Sequence, residues 1–269
     1  FVIEIRLDQI KEILKSLKLK KGSSCLLHSS MINIGKIQGI KIEDIPKTII
    51  NLISEEIGPQ GTISALTPFY DYSNSKKMFD LNKGMCSKEV GSINRYIAKI
   101  CKSRSIDPTF NISSIGKKAN YINYNVSPTS FGLDSSWDRL YKLNTDIIFL
   151  GCNLSVCTFI RFIESKFGVT YLYNKYFNIP IKENGKIISH YSSSLLRYRQ
   201  IKLQYELRNF QMHLLKKNFL RKSKNKHFEA MAINMNPCLD EGISELKKNC
   251  FYFLKRNPFN NQKKFLPQD

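Results

Sequence analysis

An α/β fold in one domain is what the sequence predicts, on three observations. The first 70 residues read helix, strand, glycine-bearing loop, helix, turn, strand, and the crossover in that order implies that the two strands pair in parallel. Residues 146–151, DIIFLG, are the clearest buried-strand run, and TFIRFIESKF (158–167) follows with apolar residues at helical spacing. No repeat, low-complexity segment or linker breaks the 269 residues, so one domain over 1–269 is expected.

Taken in order, residues 6–18 place Ile10, Ile13, Leu14 and Leu17 on one helical face, and Lys21-Gly22 ends that helix. Ser24–His28 has the length of a strand and meets the polar turn Ser29-Ser30. After Ile45-Pro46 the run Ile49, Ile50, Leu52, Ile53, Ile57 marks a helix closed by Gly58-Pro59, and GPQGT turns into the strand ISALTP at 63–68. Residues 72–90 are polar and aperiodic, as expected of a long loop over the active face. A helix is expected around Gly91–Cys101, turn chemistry over 104–116, and a short helix near Lys117–Ile122. Thr158 is a candidate cap for the helix that follows it. A β-like stretch from 176, turning at Glu183-Asn184-Gly185, gives way to mixed basic sequence by 215, and a last amphipathic helix is expected at 240–255.

Composition limits the function. Lys and Arg number 42 against 22 acids, a formal net charge of +20, which points to an anionic partner such as nucleic acid, a phosphorylated ligand or a membrane surface. A coding bias towards Lys, Asn and Ile explains the same number with no function attached. The longest apolar runs, Thr145–Gly151 and Thr62–Pro68, fall far short of the roughly 18–20 residues that span a membrane. The first residues, FVIEIRLD, carry acids and lack a small-residue cleavage site, unlike a signal peptide. Seven scattered cysteines with no CxxC read as reduced thiols, hence a cytoplasmic protein with no metal centre.

Three polar clusters follow apolar runs, where α/β folds place ligands. His28-Ser29-Ser30 with Gly35 can expose backbone N–H groups to an amide or phosphate, although alone it reads equally as a strand-to-loop turn. Arg104, Ser105 and Asp107 form the second cluster. Arg161 and Glu164 lie three residues apart on one helical face, the spacing of an ordinary ion pair. A competing reading is a nucleic-acid binder, since His190–Lys226 interleaves cations and aromatics; no recognition motif accompanies it.

In sequence order, HSSMINIGKIQG, GPQGTISALTPFYD, RSIDPTFNISSIG, FGLDSSWDRLYKL and DIIFLGCNLSVCTFIRFIE resemble the motifs of the aminoglycoside 3-N-acetyltransferase family. Those motifs run roughly HSSLxxLGxxxGG, GxxGTLxxPTFT, RSxHPxxSxxAxG, FGxxSPxxRL and LLGVxxxxxTxxHxxE. The likeness covers about residues 20–167, and FEAMAINMNPCLDEGISELKK within 228–255 is similar to the family's closing segment. The resemblance implies one domain with a central mixed sheet flanked by helices. It also implies acyl transfer from acetyl-CoA, or another acyl-CoA, to a small-molecule amine, with no metal and no nucleic acid.

Carried over by position, the resemblance implies that His28, Ser29, Ser30 and Gly35 hold the pantetheine arm, with Arg104 and Ser105 near cofactor and acceptor. Tyr70, Asp71 and Arg161 would meet the acceptor. Glu164, Asp107 and Asp71 are the candidate acids and bases, Glu164 first because it keeps the family's residue type in place. The departures are specific. The motif histidines are Asp107 and Arg161 here, the following serine is Asn111, and Ser136 replaces a proline. An aspartate is a poor base unless burial raises its pKa, and an arginine is no base at all. A fixed cation at 161 disfavours a polycationic drug and favours an acidic or phosphorylated amino sugar, such as a nucleotide-linked one made for bacterial surface polysaccharide. A degenerate homologue that binds coenzyme A without turnover is the alternative.

Overall fold

The structure, a computed structural model, describes residues 4–101, 103–225 and 228–259. The expected single domain over 1–269 therefore extends at both ends beyond the described residues, as does the opening of the sequence.

The chain begins with β1 (Glu4–Ile5), α1 (Leu7–Ser16), β2 (Ser24–Ser29), α2 (Met31–Ile34), β3 (Lys36–Ile37), α3 (Ile45–Ile57) and β4 (Thr62–Leu66). Pro46 enters α3 in its first turn, where the missing N–H costs nothing. Next come α4 (Asp71–Asn74), β5 (Phe79–Asp80), α5 (Ser92–Ile100), β6 (Ser103–Arg104), β7 (Ile112–Gly116), α6 (Ala119–Asn123), α7 (Ser136–Lys142) and β8 (Asp146–Leu150). The last third holds α8 (Phe159–Phe167), β9 (Leu172–Glu183), β10 (Lys186–Arg197), α9 (Arg208–Lys216), β11 (Leu220–Lys224), β12 (Glu229–Asn234) and α10 (Met235–Lys248).

Seven strands form the central sheet in the order β11-β12-β8-β2-β4-β7-β6. β2 pairs in parallel with both β4 and β8, as the crossover requires, while the outer pairings are antiparallel, so the sheet is mixed. Both faces are covered. Along β2, Leu26 packs with Phe149 and Phe159 on one side, and Cys25 and Leu27 pack with Ile49 and Ile53 of α3 on the other.

Several expectations need correction. Residues 72–90 are not all loop: α4 and β5 interrupt them, and β5 pairs with β9 in a second, three-stranded sheet. The segment 104–116 contains β6, the 105–111 connection and β7 rather than turns alone. The stretch 176–215 is a long β9–β10 hairpin followed by α9. The last helix starts at Met235, because the Asn234 side chain accepts the Asn236 N–H and caps it there, and it ends at Lys248. Thr158 makes no side-chain cap, since its own backbone is already helical. α7, β11 and β12 carry no expectation from periodicity; each is short, and its burial comes from sheet or helix neighbours distant in sequence.

Candidate active site

Because β2, β4 and β8 run in parallel, their C-terminal ends share one edge of the sheet. β4 lies on one side of β2 and β8 on the other, so the switch point at which open α/β sheets hold their ligands, the candidate crevice, falls at Ser29-Ser30. β7 and β12 run the opposite way, and their N-terminal ends, with the connection 105–111, reach the same edge. Ser30 N–H donates to Leu150 O and Asn33 Nδ2 donates to Gly151 O (2.6 Å), which stitches the loops after β2 and β8 together. Gly151 sits at φ +66°, and a Cβ there would lie 2.9 Å from Ser30 O, so this approach needs a glycine. Gly35, also at positive φ, closes α2 through its N–H to Met31 O.

His28 is buried and stacks on Phe149, ring centroids 5.3 Å apart. Its Nε2 and the Ser29 hydroxyl are buried polar atoms without a partner among the described residues. Burial alone brings the His28 pKa down to about 4, so the imidazole is neutral at pH 7. Folding therefore excludes a proton that the unfolded chain accepts near pH 6.5, and the stability this group supports at neutral pH, about 3 kcal/mol, is lost as pH falls from about 6.5 to 4. In denaturant unfolding at pH 4 to 7, His28→Gln should gain on the wild type by that amount at the acid end. A difference constant across that range would mean the imidazole is protonated in the fold.

The 105–111 connection is held from inside. Arg104 Nε and Nη2 donate to Asn111 Oδ1 (3.2 and 3.0 Å), and Nη2 also donates to Met85 O (2.6 Å). Ser105 Oγ accepts the Ile112 N–H (2.9 Å), so its hydroxyl oxygen serves the loop. Asp107 is buried; Oδ1 accepts the Thr109 N–H and hydroxyl, both at 2.9 Å, Oδ2 accepts the Phe110 N–H at 3.2 Å, and the Ser130 hydroxyl also stabilises the carboxylate. Thr109 Oγ1 is in turn in contact with the Ser194 hydroxyl of β10. Burial raises the Asp107 pKa to about 6 against the pull of these donors. Phe69 N–H donates to Pro108 O, which sets the Tyr70–Asp71 turn beside this loop. Tyr70 is exposed and Asp71 half-buried, and Asp71 pairs with Lys77 at 2.9 Å.

Glu164 is fully buried on α8. Its Oε2 accepts from Arg161 Nη1 (3.1 Å), and its Oε1 accepts from the phenols of Tyr171 (2.8 Å) and Tyr205 (2.7 Å). Burial raises its pKa, opposed first by Arg161 and then by the two phenols. The Tyr205 ring carries two guanidiniums, Arg161 at 4.6 Å and Arg197 at 4.8 Å from its centroid. Asp107 and Glu164 share no hydrogen-bond partner among the described residues, so they are two separate buried carboxyls, one in the 105–111 connection and one on α8. Phe149 was legible only as part of the 146–151 strand run, and periodicity and motif gave no sign of Tyr171, Arg197 or Tyr205. The last two fall in the aromatic-basic stretch that suggested nucleic acid, where Tyr205 and the buried Phe210 turn inward.

The sequence matches the family model described as aminoglycoside 3-N-acetyltransferase over residues 26–247. A relative from Bacillus subtilis (strain 168), the SPbeta prophage-derived aminoglycoside N(3')-acetyltransferase-like protein YokD, is 26% identical over 197 residues, 66% of this chain and 71% of that protein. Among solved structures, aminoglycoside acetyltransferase AAC(3)-Xa superposes with a TM-score of 0.77 at 16% identity, covering 91% of this chain and 93% of its own. The binary complex of AAC-IIIb with CoASH gives 0.75 at 16% identity, covering 95% and 100%. Sisomicin-bound AAC-VIa gives 0.74 at 17% identity, covering 90% and 97%. At such identities these structures show that the fold is shared.

Proposed function

Since this chain belongs to the aminoglycoside 3-N-acetyltransferase family, we propose that it acylates the amine of a sugar-like acceptor bearing acidic or phosphorylated groups, rather than an aminoglycoside drug. Membership makes it an acyltransferase; the acceptor is the finer reading. The observation that carries this reading is the pair of guanidiniums, Arg161 and Arg197, on one tyrosine ring with Glu164 as their single carboxylate partner. That cluster keeps a net positive charge, which repels a polycation and attracts an anionic acceptor.

The residues at the crevice fit an acyl-coenzyme A. The unpartnered His28 Nε2 and Ser29 Oγ can meet the amides of the pantetheine arm, and Gly35 lets backbone approach it. When bound, the thioester supplies the electrophilic acyl carbon. The amine must lose its proton to attack that carbon, and Asp107 is the better-placed acceptor of it. Its pKa of about 6 leaves it mostly ionised at pH 7 yet basic enough to take a proton. Glu164, with three donors and no exposure, serves instead to hold Arg161 and Tyr205 in place. Asp71, half-buried and paired only with Lys77 among the described residues, can exchange that partner for the acceptor's ammonium group.

Thiol release from acetyl-CoA tests the reading. Nucleotide-linked amino sugars should release thiol, gentamicin-like drugs should not, and expression in a susceptible host should leave drug resistance unchanged. A clear rise in resistance would overturn the charge argument.

A further inference from the structure

A cavity of about 550 Å³ lies outside the crevice, beside β6 at the last strand of the sheet, and the β9–β10 hairpin closes over it. Lys99, Ser103, Arg104, Asn120, Asn125 and Glu183 are among the residues that line it. We propose that this cavity is a second binding site, for a phosphate-bearing small molecule, with Arg104 donating from Nη1 to a phosphate oxygen.

Arg104 carries a buried charge with no carboxylate partner among the described residues. Arg104 is 7% exposed, and none of the ion pairs among the described residues includes it. Two of its nitrogens bind Asn111 and the carbonyls of Thr67 and Met85, the guanidinium lies over the Phe79 ring at 5.2 Å, and Nη1 is buried with no hydrogen-bond partner among the described residues. The titratable groups that bear on it most are the thiols of Cys101 and Cys86. Burial pushes the Cys86 thiol further up, so it supplies no counter-charge. A buried cation without an anion is costly, and the cost is relieved when a ligand brings the anion. Lys99, exposed in the last turn of α5 and free of ion pairs among the described residues, adds a second cation. Against them stands Glu183 alone, so the lining carries one more cation than anion. A planar guanidinium and a mobile ammonium suit the several oxygens of a phosphate, the carboxamides suit hydroxyls or a base, and the volume suits a ligand of nucleotide size.

The phosphate has two sources, coenzyme A itself or a separate phosphorylated ligand, and calorimetry distinguishes them. The probes are coenzyme A, dephospho-coenzyme A, uridine diphosphate and inorganic pyrophosphate, titrated into wild type, Lys99→Glu and Arg104→Lys. Arg104→Lys keeps the charge but loses the fork, and its fold is checked by thermal denaturation. Lys99→Glu changes only an exposed side chain and leaves the fold alone. At least one probe should bind wild type and weaken tenfold or more in both variants. Weakening confined to coenzyme A, with dephospho-coenzyme A unchanged, assigns the site to the cofactor's 3′-phosphate. Weakening of uridine diphosphate or pyrophosphate, with coenzyme A unchanged, assigns it to a separate ligand. Equal affinities in all three proteins for every probe, or no binding by wild type, overturns the proposal. The thiol-release assay reads acyl transfer separately, so its failure leaves this outcome standing.

Discussion

Asp107→Asn should lower turnover by roughly 10²–10⁴, the usual worth of a general base, with little change in coenzyme A affinity. The asparagine preserves the volume and one acceptor oxygen for Thr109, so the 105–111 connection keeps its shape while losing the group that takes the proton. In the wild type, kcat/KM should climb with pH through about 6, where Asp107 ionises, and then level off. Asp107→His should restore much of the loss and place the rising limb at the histidine's own pKa. Stability should move the other way from activity. The folded carboxyl holds its proton up to about pH 6 while the unfolded one releases it near 3.8, so this group weakens the fold as pH rises between those values. Asp107→Asn should remove that decline. Full turnover in Asp107→Asn with the true acceptor would place the base elsewhere.

Glu164→Gln should cost up to about 3 kcal/mol of stability, because it leaves the half-buried Arg161 with a neutral partner. The two tyrosines would lose their charged acceptor in the same step. Turnover should fall as well if Arg161 and Tyr205 meet the acceptor as proposed, since both lose the carboxylate that holds them. A double variant separates the effects. Arg161→Met with Glu164→Gln removes one charge of each sign, so stability should recover most of the loss, while Arg197 keeps the cluster's net positive charge and discrimination against polycationic acceptors persists. If Glu164→Gln instead folds as stably as wild type and loses turnover alone, Glu164 acts on the proton directly and the order of the two carboxyls reverses.

The first 70 residues were legible because their elements are set locally: α1, β2, α3 and β4 each carry the apolar period of their own type, and glycines mark the ends. The region 104–116 was not. β6 and β7 are short, polar in part, and exist as strands because Ser103 and Arg104 pair with Ser114 and Ser113, and β7 with β4. The hairpin 172–197 likewise takes its length from cross-strand pairing rather than from alternation, with Ser192, Ser193 and Ser194 buried under Thr109 and Pro128.

By itself, then, the sequence determined the α/β class, the parallel crossover and, through five ordered motifs, the family, since these reside in spacing along the chain. It also named the residues that differ from the motifs. What those residues do was decided by tertiary structure, because their ionisation depends on burial and on partners far away in the chain. His28 is neutral because it lies buried against Phe149 of β8, and Asp107 titrates near 6 because its loop is enclosed beneath β10. Glu164 is bound to Tyr205, 41 residues away, so the ion pair that its spacing from Arg161 suggests became a buried network. A charge is a local property of a residue; its pKa and its reach belong to the surroundings that folding assembles around it.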